Sequence, residues 1–114
     1  MSNVASRPVQ FKCVVTSVKT PKIALNDKDI SLSKSGSDWS GSGTVQVTDT
    51  VLIHPKVGGV DGDDWAVTIT TNCSNGATPD KIFSHSGQIP NNSHGAFEFI
   101  VVSPVPASPC SSNK

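Results

Sequence analysis

Residues 65–73 show the clearest alternation of apolar and polar positions along the chain. In an extended strand, one face would carry Trp65, Val67, Ile69, Thr71 and Cys73, and the other Ala66, Thr68, Thr70 and Asn72. A period of two in β-branched and aromatic residues is typical of a half-buried antiparallel strand. We therefore predict a central strand here, with Trp65, Val67 and Ile69 in the core.

Similar alternation predicts further strands on both sides of this segment. Residues 10–18 form the first strand, with Phe11, Cys13 and Val15 facing inward. A hairpin follows, whose turn is the sequence Asn-Asp-Lys-Asp at 26–29, because Asn and Asp tolerate left-handed backbone geometry. The last predicted strands are 81–85, with Ile82 or Phe83 inward, and 96–103, which is apolar on both faces.

The longest predicted strand covers residues 44–54 and is ended by Pro55, which cannot donate a backbone hydrogen bond. Asp49 falls on its apolar face, which predicts a bulge, a bend or an edge position there. The preceding segment, 33–43, is rich in Ser and Gly, and we expect it to be a surface loop.

About seven short strands bounded by turn signals, with no helical period, predict an all-β fold. We expect an antiparallel β-sandwich of immunoglobulin-like type, with a small β-barrel as the alternative. The domain would span residues 9–103, between a flexible arm at 1–8 and a flexible Pro/Ser-rich tail at 104–114.

Composition narrows the classes of partner. Lys and Arg together number nine, as do Asp and Glu, so the formal charge is zero. Nucleic-acid binding, which needs a basic surface, is not expected. No apolar run approaches the roughly 20 residues of a membrane-spanning helix, so no membrane insertion is expected. The N-terminus lacks the apolar region of a secretory signal. An extracellular, cell-surface or virion location is favoured if a signal was removed, and a cytoplasmic one otherwise.

Three cysteines leave two alternatives for Cys13 and Cys73. Both lie on predicted inward faces and are either buried free thiols or the two ends of a disulfide. A disulfide closing so long a loop would be worth about 4 kcal/mol in the chain-entropy model. The odd count leaves at least one further thiol, and Cys110 lies in the polar tail.

An acidic loop is the only candidate metal site. Asp61, Asp63 and Asp64 are flanked by glycine, and calcium prefers several oxygen ligands. The loop lacks the full pattern of an EF-hand, and solvated carboxylates are the competing interpretation. We expect no other cofactor. Ser and His neighbours occur without any nucleophile motif, so we do not expect an enzyme.

Asp38 and Trp39 are the candidate binding residues. A Trp in a surface loop can stack on a sugar ring or anchor a protein interface, and Asp38 could accept a hydrogen bond from either ligand. The competing interpretation is that Trp39 folds back over the core.

Two functions follow from these observations. The first is a non-catalytic β-sandwich binding module that mediates protein–protein interaction, including at a surface or particle. The second is a small lectin-like protein that binds carbohydrate with or without calcium. The oligomeric state is not predicted by the sequence.

Overall fold

The computed structural model describes residues 6–36, 38–60, 62–73, 76, 78–90 and 95–106, and every structural statement below concerns these residues. Within them the chain is all-β, and two antiparallel sheets pack face to face. The β-sandwich prediction is confirmed, and the barrel alternative is wrong because neither sheet closes. No helix in this part of the chain has the length and apolar character needed to cross a membrane.

The sandwich contains ten strand segments. In chain order they are β1 (Arg7–Thr16), β2 (Lys19–Leu25), β3 (Lys28–Asp29), β4 (Ser33–Ser35), β5 (Asp38–Val47), β6 (Thr50–Gly58), β7 (Asp64–Thr71), β8 (Lys81–Gln88), β9 (Ala96–Glu98) and β10 (Val101–Pro104). Sheet 1 has the order β4-β5-β1-β7-β8, and sheet 2 has the order β10-β6-β2-β3, with β9 also paired to β6.

The core forms between the two sheets, and β1 and β7 contribute their inward faces to it, as their alternation predicts. Cys13 lies opposite Ile69 and Val15 lies opposite Val67 in the antiparallel register. All four side chains are fully buried. Trp65 is only 4% exposed, so the prediction that Trp65, Val67 and Ile69 of the central strand lie in the core is confirmed.

The predicted strand 44–54 is wrong as a single element, whereas the bend expected at Asp49 is confirmed. β5 ends at Val47 in sheet 1, and β6 begins at Thr50 in sheet 2, so the chain changes sheets across Thr48 and Asp49. The main-chain oxygen of Asp49 accepts a hydrogen bond of 2.8 Å from the N–H of Val105. The charged side chain stays out of the core because the backbone turns there.

Arg7 joins this bend to the end of the last strand. Its guanidinium donates to the carbonyl of Thr48 at 2.8 Å and to that of Pro106 at 2.6 Å. β1 thus begins at Arg7, and Val105, beyond β10, belongs to the core at 6% exposure. The first strand therefore begins before residue 10, where its start was predicted, and core packing continues beyond residue 103, where the last strand was predicted to end.

Pro55 does not end its strand, contrary to the prediction. β6 continues through it to Gly58, and Pro55 lies opposite Phe99 in the register shared by β9 and β10. The N–H of Phe99 donates to the Pro55 carbonyl at 3.3 Å, but proline has no N–H to return the bond. The predicted last strand is therefore interrupted and appears as the two segments β9 and β10.

The loop predicted at 33–43 is wrong: this segment forms β4 and most of β5, joined by a turn with Gly36 at φ +67°. Gly41 and Gly43 lie on the inward face of β5. A Cβ on Gly41 would overlap the carbonyl oxygen of Ser31, and one on Gly43 would lie 3.0 Å from Cδ1 of Ile30. These glycines permit close packing and are not a sign of loop flexibility.

The hairpin turn predicted at 26–29 is confirmed at Asn26 and Asp27, whereas Lys28 and Asp29 already belong to β3. Asn26 and Asp27 have φ of 51° and 65°, and they connect Leu25 to its cross-strand partner Lys28. Two successive left-handed residues define a type I′ turn, whose twist matches that of the strands it joins.

Candidate functional site

The most distinctive surface feature is an aromatic cleft between the two sheets, lined by Phe83, His85, Phe97, Phe99 and Val101. It is an open groove of about 380 Å³. Phe83 and His85 belong to β8 at the edge of sheet 1, and the other residues belong to β9, β10 and their junction at the edge of sheet 2. The cleft therefore runs along one side of the sandwich, where neither sheet has a further strand within the described residues.

The period-two spacing of the aromatic residues positions them in this cleft. Phe83 lies opposite Ile69 and His85 lies opposite Val67, so both extend from the inward face of sheet 1. A register shift next to Ile69 makes Ile82 an extra residue in β8. Such a bulge lets Ile82 enter the core at 8% exposure while Phe83 lines the cleft, so the inward assignment applies to both.

The rings of the cleft contact one another in tilted and edge-to-face geometries. The centroid of Phe99 lies 6.0 Å from that of Phe83, 5.7 Å from that of Phe97 and 6.3 Å from that of His85. These separations lie within the range in which aromatic pairs attract beyond simple burial. The rings are held on strands of two sheets and are therefore preorganised.

Trp65 is buried and packs beneath the rings that line the cleft. Its ring centroid lies 5.4 Å from each of the centroids of His85, Phe97 and Phe99. Gly87 lies directly opposite in β8, and a Cβ there would come within 3.1 Å of the indole ring. The buried indole N–H has no hydrogen-bond partner among the described residues, which costs about 1–3 kcal/mol. Within the described residues, Trp65 is therefore held by its ring contacts and not by a hydrogen bond of its indole N–H.

Asp38 and Trp39 lie next to each other in β5 and therefore point to opposite faces of sheet 1. Trp39 is half-buried against the core, and its Nε1 donates to the Ser17 carbonyl at 3.3 Å. Asp38 is exposed and accepts a hydrogen bond of 2.7 Å from the hydroxyl of Thr16. The structure thus does not bring the two candidate residues together, and it favours the interpretation of Trp39 as a residue that covers the core.

Two carboxylates of the acidic loop accept hydrogen bonds from other groups of the protein. Oδ2 of Asp63 accepts a hydrogen bond of 2.8 Å from the N–H of Val60, and Oδ1 of Asp64 accepts one of 3.4 Å from Gln88. Asp61 lies outside the described residues. Within the described part of the chain, no three His, Cys, Asp or Glu side chains group as metal ligands would. Calcium binding at this loop stays a prediction.

Of the two alternatives for Cys13 and Cys73, the disulfide between them is wrong, and the free buried thiol is correct for Cys13 but not for Cys73. Cys13 is a free, buried thiol, and Cys73 is disulfide-bonded. The register explains this, because Cys13 lies opposite Ile69, four residues and roughly 13 Å of extended chain away from Cys73. Disulfides need Cα atoms within about 7 Å. Desolvation raises the pKa of Cys13 from 9.0 to about 12, so it is an unreactive core residue. Cys110, the third cysteine, lies outside the described residues.

Comparison with protein-family models, with curated proteins and with solved structures gave no significant match for this chain. The geometry of the site is therefore the basis on which a function can be proposed.

Proposed function

We propose that this chain is a non-catalytic binding module that binds a protein partner through the aromatic cleft. The observation that carries the proposal is the cluster of four rings, Phe83, His85, Phe97 and Phe99, left accessible at one side of the sandwich. His85 is exposed and the three Phe side chains are only partly buried, although the core lies directly beneath them.

Such a cluster suits the centre of a protein interface. Aromatic side chains supply much of the affinity of small interfaces, because each buries a large area with few rotatable bonds. The rings here are fixed by contacts with Trp65 and with one another, so little conformational entropy would be lost on binding. Among the described residues that line the cleft, His85 is the only ionisable one, which favours an apolar or aromatic side chain of the partner.

The immunoglobulin-like assignment is part of this proposal. It is supported by the two antiparallel sheets and by non-local pairing, such as that of β1 with β5 and β7. In sandwiches of this type, binding through loops and strand edges is common because the strands provide a rigid scaffold.

Carbohydrate binding is the second candidate, and the outer face of sheet 1 favours it. The register aligns Ser40, Val14, Thr68 and Ser84 across four strands, and the hydroxyls of Thr68 and Ser84 lie 3.3 Å apart. The three hydroxyl groups of this row, those of Ser40, Thr68 and Ser84, match a neutral glycan in hydrogen-bonding capacity.

The proposal is tested by selecting displayed peptides against the immobilised protein and measuring the affinity of each selected peptide by calorimetry. We expect Phe99→Ala to weaken binding by at least about tenfold, which corresponds to about 1.4 kcal/mol. Ser42→Ala, an exposed change on the outer face of sheet 1, is the matched control and should leave the affinity unchanged. Thermal unfolding of each variant establishes that it is folded.

Two results would count against the protein-binding proposal. In the first, the selected peptides bind Phe99→Ala as tightly as the unaltered protein. In the second, no peptide is selected, while a glycan array identifies a ligand that is competed by free sugar. Loss of that glycan binding in EDTA would add calcium to the second candidate.

A further inference from the structure

Among the described residues, β8 is the least protected sheet edge, and its one irregularity is the bulge at Ile82, near its first residue. The other outer strands of the described sandwich are short or interrupted: β4 has three residues, β3 has two, and β9–β10 is broken opposite Pro55. β8 has eight residues, contains no proline, and carries a Lys or acidic residue only at its first position, Lys81. Proteins normally blunt exposed edges with charge, proline or short length, because an unpaired edge can bind another strand.

The backbone groups on this edge can be assigned from the register. The N–H of Ile89 donates to the carbonyl of Asp63 at 2.8 Å. Antiparallel pairs alternate between bonded and non-bonded, so Gly87, His85 and Phe83 are the residues bonded to β7. The N–H and C=O groups of Ser84 and Ser86 therefore point away from the sheet, toward any strand added alongside.

We propose that the partner of the aromatic cleft is a second copy of this chain, which pairs through β8 in an antiparallel, two-fold symmetric arrangement. This inference rests on the proposed function, since it names the partner for the same cleft. A closed two-fold pairing would also remove the unprotected edge of each copy.

Symmetry and side-chain direction select the register of the pairing. Residues that lie opposite each other must face the same side of the sheet, and Ser84 has outward-pointing backbone groups. Ser84 can therefore lie opposite Ser84 of the second copy, with two hydrogen bonds exchanged between them. Phe83 of each copy then lies opposite His85 of the other, so the aromatic cluster continues across the interface. The regular pairing covers residues 83–85 and ends there, because the bulge at Ile82 turns Lys81 to the outer face whereas Gly87 faces inward. The paired stretch contains no Lys, Asp or Glu, so no like charges meet.

The size of this side of the sandwich is sufficient for a weak dimer. β8 has eight residues and is about 27 Å long. The sandwich is 21 Å thick in its smallest dimension. The side wall therefore offers about 570 Å² per copy, or about 1,100 Å² in total, just above the roughly 1,000 Å² that a specific interface needs. We accordingly expect a dimer that dissociates on dilution.

Sedimentation velocity of the full chain, from about 1 to about 500 µM, measures this equilibrium over the range expected for a weak interface. Ser84→Asp and Ser84→Lys each place like charges on the two-fold axis, and both variants should be monomeric throughout that range. An equimolar mixture of the two should restore the dimer, because opposite charges then meet at Ser84. Ser42→Asp, on the same outer face but separated from β8 by both β1 and β7, should dimerise like the unaltered protein.

Each outcome decides the inference. A dimer broken by both single variants, restored by their mixture and retained in Ser42→Asp supports it. An unaltered protein that is monomeric at every concentration overturns it, as does a Ser84→Asp variant that dimerises normally. If the protein is monomeric yet still binds selected peptides in a Phe99-dependent way, the dimer is excluded while the proposed function stands.

Discussion

Replacing Gly41 with alanine tests whether residues 33–43 are a close-packed hairpin or a flexible loop. In the structure, Gly41 lies on the inward face of β5, where Ser31 passes directly over it. An added Cβ would overlap the Ser31 carbonyl oxygen and would also come within 3.0 Å of its carbonyl carbon. The obstacle is backbone, so it cannot rotate away as a side chain would.

The magnitude follows from two opposing effects. Overpacking of a well-packed site costs typically 1–3 kcal/mol, and a backbone obstacle places Gly41→Ala near about 3 kcal/mol. Alanine restricts the unfolded chain and returns about 0.5–1 kcal/mol. We therefore expect a net loss of about 2 kcal/mol in the free energy of unfolding, or roughly 8 °C in Tm for a chain of this size.

Gly43→Ala is the matched control, two residues away on the same face of β5. Its Cβ would meet only the terminal methyl of Ile30, at 3.0 Å, which can move by a small side-chain rotation. We expect a change close to zero. Urea unfolding of both variants gives the comparison, with an unchanged m-value as the sign that the two states are comparable. If Gly41→Ala is as stable as Gly43→Ala, the close approach of Ser31 is wrong and the loop interpretation returns.

Three further predictions concern the core. Ile69→Ala should lower the free energy of unfolding by about 2–5 kcal/mol in urea unfolding, because the side chain is fully buried; a loss below about 0.5 kcal/mol would contradict the assignment of the faces of β7. Trp39→Ala should lower the free energy of unfolding by about 2 kcal/mol, since a half-buried ring and its hydrogen bond to the Ser17 carbonyl are lost. An unchanged Tm would contradict this and favour Trp39 as a binding residue. Burial raises the pKa of Cys13 to about 12, so Cys13 should resist a thiol reagent in the native protein at pH 8. It should react once urea unfolds the unreduced chain. Rapid labelling of Cys13 in the native protein, located by mass spectrometry, would contradict its burial.

The sequence predicts the faces of the central strands well because alternation records burial directly. Trp65, Val67 and Ile69 are buried as their spacing requires, and the type I′ turn at Asn26 and Asp27 has the residues that such a turn demands. Asp49 signals a bend, but a single charge does not reveal that the chain changes sheets there. That depends on which strands pair, and pairing is decided by contacts between residues distant in sequence.

The cleft could not be located from the sequence for the same reason. Phe83 and His85 are spaced by two, as are Phe97 and Phe99, and this pattern was the available signal. Their convergence requires β8 to join sheet 1 and β9 to join sheet 2. The composition of residues 33–43 predicts a loop, since Gly and Ser are typical of loops, whereas Gly41 and Gly43 here accommodate a crossing segment.

The position of β1 in the middle of sheet 1 has a consequence for folding during synthesis. β1 is made first, but its two neighbours, β5 and β7, begin only at Asp38 and Asp64. Roughly 55 residues separate the end of β1 from the end of β7, and at 5–20 residues per second the ribosome needs about 3–11 s to make them. Throughout that time β1, which carries Phe11, Cys13 and Val15, lacks at least one of the two strands that pair with it in the sheet. Most pairings of this topology are between distant residues, which slows folding further. We therefore expect correct folding of the nascent chain to require that β1 does not pair with other strands before β7 has left the ribosome.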